Sequence, residues 1–180
     1  MDRNKLSNAK LNKPKFAEFS DEEIVKMVSE GKVTNRELTD SGICPTCFNK
    51  EHDGVLFGDD SEMILYEDDV IECFLVGNPR ANGHVAVSTK KHFKDMMDID
   101  DVTCERVFKF SKKAMNVIRE VYNSESVYLC TMCDGPMNHF HVQLIPRYDF
   151  EERGSDNFVK PRFKYVPDKE KVLELRRRLK

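Results

Sequence analysis

The run His139-Phe140-His141-Val142-Gln143-Leu144-Ile145 constrains the fold more than any other stretch of the chain. Strand periodicity sends His139, His141 and Gln143 to one face and Phe140, Val142 and Leu144 to the other. The apolar face needs a cover, and a segment of the right shape precedes it. Across residues 100–122, Val107, Phe110, Ala114, Val117, Ile118 and Val121 recur at helical spacing and form one apolar stripe. A strand packed under such a helix leaves its polar face as either a site or a solvated surface.

Three further strand-like runs (63–66, 70–76 and 84–88) come before the helix, separated by Glu67-Asp68-Asp69 and Gly77-Asn78-Pro79-Arg80-Ala81-Asn82-Gly83. A fourth, 126–132, joins the histidine run 139–145 through Asp134-Gly135-Pro136, and Pro146 is expected to end that last strand. Ser20 and Glu23 form a capping box that opens a short helix from 21 to about 30, closed by Gly31, and 168–179 predicts a final helix. The sum is an α+β fold: an antiparallel sheet of about five strands with one long helix, plus an N-terminal helix and a C-terminal tail and helix. Residues 1–40 read as an arm (basic through about residue 18) and the short helix. Residues 41–150 read as the main domain, and 151–180 as a basic tail with its helix.

The 180 residues are 39% hydrophobic and 34% charged, with a net charge of −3. That balance argues against wholesale nucleic-acid binding, where a basic excess is expected. No run approaches the roughly 20 apolar residues that span a membrane. The basic start is not followed by an apolar signal region, so the cytoplasm is the expected compartment. There six cysteines are more often metal ligands or small buried groups than disulfides.

Two of the five histidines alternate on one apolar strand. A neutral imidazole is a competent nucleophile toward phosphorus once its second nitrogen is held by an acceptor. Gln143, on the same face, can donate its amide to a phosphate oxygen but has no proton to give a leaving group. Cys44-x-x-Cys47 is a knuckle that supplies two thiolates to a tetrahedral Zn²⁺. Two more ligands must come from elsewhere: His52 lies close in sequence, and His92 with His139 is the distant choice. A redox role for the pair would want a βαβ setting, which the pattern lacks. Cys130-x-x-Cys133 is discounted, because odd spacing on a strand sends the two side chains to opposite faces. Cys73, Cys104 and Cys130 are expected to be buried.

In order, Cys44-x-x-Cys47, Gly83-His84-Val85, Lys90-Lys91-His92-Phe93, the long helix, Cys133-Asp134-Gly135-Pro136 and His139-Phe140-His141-Val142-Gln143-Leu144-Ile145-Pro146-Arg147 resemble the histidine triad (HIT) superfamily. The resemblance implies a HIT-like sheet-and-helix fold, usually dimerised, that binds nucleoside phosphates. It makes His141 the nucleophile that carries a nucleotidyl group, with His84 shaping its pocket. The third motif position is Gln143, as in the uridylyltransferase branch and some dinucleoside-polyphosphate phosphorylases. Zinc-bearing members imply a structural Zn²⁺ on Cys44, Cys47, His92 and His139, which selects His92 over His52. Asn78 falls in the loop that contacts ribose or base, where the acidic residue common in the family is replaced by Val76. Only Met137 and Asn138 remain of the usual phosphate loop, so phosphate is expected on Asn138, Gln143 and a tail cation such as Arg153 or Lys160.

The expected activity is hydrolysis or transfer of a nucleotidyl group from a nucleoside phosphate or dinucleoside polyphosphate, in a cytoplasmic homodimer. The rivals are a nucleotide-sensing protein without turnover and a zinc-stabilised interaction module using Arg176-Arg177-Arg178. The His141 nucleophile position favours the enzyme, and basic last turns are ordinary at helix C-termini.

Overall fold

The computed structural model describes residues 15–58, 61–133, 137–151 and 168–180. Residues 1–14, 134–136 and 152–167, with the expected tail cations Arg153 and Lys160, lie outside the described residues. The chain forms two compact units: residues through Gly58 together with Met137, and the remaining described residues.

The first unit holds three short helices, α1 (Asp21–Ser29), α2 (Asn35–Asp40) and α3 (Pro45–Glu51). The Ser20/Glu23 capping box is present, and Thr34 with Glu37 makes a second one that opens α2. The stretch before Cys44 is therefore partly helical. Thr34-x-x-Glu37 was the local signal for it. Pro45 occupies the first turn of α3, where its missing N–H costs nothing. Phe16, Ile24, Val28, Val33, Leu38 and Phe48 make a small separate core.

The second unit is a five-stranded antiparallel sheet of order β1-β2-β3-β5-β4, as the α+β reading expects. The strands are β1 (Ile64–Glu67), β2 (Ile71–Leu75), β3 (Val85–Thr89), β4 (Ser126–Cys130) and β5 (His141–Arg147). The long helix α4 runs Asp101–Tyr122, capped by Asp100 and closed by Asn123 in the left-handed region. Val107, Phe110, Ala114, Val117 and Ile118 are buried with Val85, Val87, Val142 and Leu144. Val121 is half-buried against the same core. A final helix, α5 (Lys169–Leu179), adds Val172, Leu175 and Leu179 to it.

Pro146 does not end β5 but lies inside it. The Thr89 N–H donates to the Phe140 carbonyl, so even-numbered residues of β5 turn their backbone groups toward β3. The β3 ladder stops at Val85 opposite Leu144, and Pro146 lies beyond it, where no ladder bond is lost. The arginines of α5 are engaged internally. Arg176 donates to the Ile64 and Glu62 carbonyls, Arg177 pairs with Glu174, and Arg178 with Glu120. No helix among the described residues is long and apolar enough to cross a membrane.

Candidate functional site

β5 begins at His141, so His139 and Phe140 form its approach rather than its first turn of alternation. The Phe140 N–H donates to the Phe93 carbonyl at 2.7 Å, which pins that approach. The His139 ring is buried, with Nε2 2.7 Å from the Thr89 carbonyl. A carbonyl only accepts, so Nε2 carries the proton and Nδ1 the lone pair. His141 is half-buried and has the opposite tautomer. Its Nδ1 lies 2.9 Å from the His139 carbonyl and donates to it, which leaves the lone pair on Nε2.

Gln143 faces the same side. Its Nε2 stands 3.2 Å from His141 Nε2 and donates to that lone pair, while its Oε1 accepts from the Arg80 guanidinium. Donor polarity therefore runs in one direction, from Arg80 through Gln143 and His141 to the His139 carbonyl. Opposite these residues on β3 stand the small side chains Ala86 and Ser88, and on β4 Cys130. Burial raises the Cys130 thiol, and the Arg80 charge opposes that rise.

His84 is buried just ahead of β3, and its Nδ1 accepts the Arg80 backbone N–H at 3.1 Å. It thus shapes the site through the loop, by fixing the residue that reaches Gln143. Asn78 is exposed on that loop. Asn138 donates its amide to the Lys94 carbonyl at 2.7 Å, so in this arrangement it ties two loops together. Arg80 went unnoticed in the sequence, although it is the only charged residue between Val76 and His84.

The four expected metal ligands form two pairs. In the first unit Cys44 and Cys47 bracket the first turn of α3, with sulfurs within 4.8 Å of each other. Burial, then the adjacent Cys44, pushes the Cys47 thiol up to about 12. In the second unit the rings of His92 and His139 stand 5.3 Å apart and nearly perpendicular, with donor nitrogens within 4.8 Å. The His139 tautomer suits a ligand: one ring nitrogen is anchored on a carbonyl and the other carries a lone pair. His52 instead lies against the Phe48 ring, 4.3 Å between centroids. Each pair has the donor chemistry of half a tetrahedral zinc site. β4 ends at Cys130, short of the expected 132, and Cys133 lies exposed beyond it. Cys73 is buried as expected, whereas Cys104 and Cys130 are only half-buried.

Residues 58–150, more than half of the chain, match the family model of the HIT domain. The Cys44/Cys47 pair lies outside the matched span. An uncharacterized HIT-like protein of Borreliella burgdorferi is 33% identical over 90 residues, covering 47% of this chain and 65% of that protein, just under two thirds of its length. Among solved structures, a zinc-bound histidine triad family protein from Mycobacterium smegmatis superposes with a TM-score of 0.52 at 22% identity, covering 65% of this chain and 83% of that one. A hypothetical histidine triad nucleotide-binding protein from Sulfolobus tokodaii gives 0.50 at 24%, over 65% and 80%. With more than half of the chain matched, the chain belongs to the HIT domain family.

Proposed function

We propose that this protein binds a nucleoside phosphate or dinucleoside polyphosphate and that His141 attacks its α-phosphorus. The observation that carries this reading is the 2.9 Å bond from His141 Nδ1 to the His139 carbonyl, which leaves the nucleophilic lone pair on Nε2. In the first half-reaction an Nε2–P bond forms, the P–O bond to the leaving phosphate breaks, and its electron pair departs on that oxygen. In the second, an oxygen of water or of a second phosphate compound bonds to phosphorus. The N–P pair returns to Nε2, and the acceptor's proton passes to solvent. Gln143 donates to a phosphate oxygen as charge develops. It has no proton to give, so the reading favours leaving groups that depart as phosphate anions. Asn78 is assigned to ribose or base. Family membership and the nucleotide-binding description of the Sulfolobus fold neighbour support this reading.

We assign a structural Zn²⁺ to Cys44, Cys47, His92 and His139. Four protein ligands leave no open coordination position, so the ion supplies structure rather than chemistry. The support is the two ligand-suited pairs and the zinc-bound description of the Mycobacterium fold neighbour. Holding His139 also holds the carbonyl that sets the His141 tautomer.

The test is to incubate the protein with labelled diadenosine polyphosphate, quench without acid, and measure label retained on the chain. An adduct in wild type that is absent from His141→Asn is expected. Binding without adduct or product would refute the enzyme. It would favour nucleotide sensing, a second reading that fits the Gln143 amide standing on the His141 lone pair. Adding inorganic phosphate or a sugar phosphate separates hydrolysis from transfer. Sedimentation tests the expected homodimer.

A further inference from the structure

We propose that Arg80 is a positioning residue that sets the orientation of the Gln143 amide, so that its N–H caps the His141 Nε2 lone pair in the free protein and is the donor that meets an entering phosphate oxygen. The inference rests on the nucleophile reading above and adds a residue that the motif does not contain.

An amide can sit either way round, and its neighbours decide which. Arg80 offers donors only, and the His141 tautomer offers an acceptor at Nε2. With Oε1 on Arg80 and Nε2–H on His141, both contacts are satisfied. Flipping the amide would set donor against donor at Arg80 and acceptor against acceptor at His141. The orientation is therefore fixed at both ends.

Arg80 is itself well placed to hold Gln143. Its backbone N–H is gripped by buried His84, the His84 N–H returns to the Ala81 carbonyl at 3.2 Å, and the Tyr148 hydroxyl holds the Asn82 carbonyl at 2.8 Å. Pro79 and Ala81 on either side are buried. A guanidinium on so constrained a loop is preorganised. When a phosphate oxygen enters, the Gln143 N–H that caps His141 is the donor already aimed at it. The amide then moves from nitrogen to oxygen while Arg80 keeps hold of Oε1.

The experiment compares full-length wild type, Arg80→Met, Arg80→Lys, Gln143→Ala and the Arg80→Met/Gln143→Ala pair. One measurement is the ¹⁵N resonance of His141 Nε2 in nucleotide-free protein. The other is the single-turnover rate of labelling by diadenosine polyphosphate. Arg80→Met and Gln143→Ala should move the resonance in the same direction, and the double variant should move it no further than Gln143→Ala alone. Arg80→Met should slow labelling on the order of tenfold to a hundredfold, as expected for loss of a charge-assisted contact. Arg80→Lys, which keeps a donor, should recover part of both. An unchanged resonance in Arg80→Met, or additive effects of the two substitutions, overturns the proposal. If the resonances respond as expected but wild type forms no adduct, the nucleophile reading fails and the Arg80 assignment stands. Should Arg80→Met not fold, wild type still decides: the Gln143 amide protons must show cross-relaxation to the His141 ring, and its absence refutes the relay.

Discussion

Gly83→Ala tests the frame that carries the site. Gly83 has φ +77°, a left-handed conformation that costs an L side chain roughly 1–2 kcal/mol. A Cβ there would also lie 2.7 Å from Tyr122 Cδ2 and 2.9 Å from Cε2 and Cγ. The buried Tyr122 ring ends α4 and has the Lys171 ammonium 5.2 Å from its centroid, so its room to retreat is limited. Overpacking of this kind costs about 1–3 kcal/mol. The two effects sum to about 2–5 kcal/mol, a large part of the roughly 5–15 kcal/mol that holds an ordinary domain. Urea unfolding followed by circular dichroism measures this directly. Paired with Tyr122→Ala, the overlap is relieved and the backbone cost remains. The cycle should therefore show a coupling of about 1–3 kcal/mol that favours the double variant. A loss below about 0.5 kcal/mol in Gly83→Ala, or no coupling, would refute the reasoning. Because Gly83 precedes His84, the same substitution should also loosen the Arg80 loop and slow labelling of His141.

Asp68 joins the β1–β2 turn to α4. Burial would raise its carboxyl, but the Ile71 and Val70 N–H groups, Arg106 and the Tyr66 hydroxyl outweigh burial and hold it at about 2. A carboxyl lowered on folding stabilises the protein above its unfolded value near 3.8, and that contribution is lost as pH falls through about 2. Asp68→Asn should thus cost about 1–2 kcal/mol at neutral pH, with the gap to wild type closing in acid, read by urea unfolding across pH. Cys44→Ser and His139→Ala should each abolish binding of about one Zn²⁺ per chain, measured by metal analysis, with a fall in unfolding temperature. Zinc retained in His92→Ala but lost in His52→Ala would overturn the ligand assignment. Leu175→Ala removes a fully buried side chain that joins α5 to the main core and should cost about 2–5 kcal/mol in urea unfolding.

By itself the sequence determined the parts of this protein that depend on near neighbours along the chain. Alternation in 139–145 and the 3.6-residue stripe of α4 are one-dimensional signals, and each states which face must be covered. The Ser20 capping box and the ordered HIT motif are equally local. What it left open depended on residues far apart in the chain. Pro146 reads as a stop until the length of the β3 ladder shows that nothing there awaited its N–H. The tautomers of His139 and His141 follow from carbonyls that only the fold brings to their rings. Arg80 meets Gln143 across 63 residues of sequence, through a loop bent by a left-handed glycine. Periodicity records the direction of a side chain, whereas hydrogen-bond polarity depends on the group at the far end. His141 as the proposed nucleophile was therefore legible early, and the tautomer that leaves its lone pair on Nε2 was decided by tertiary structure.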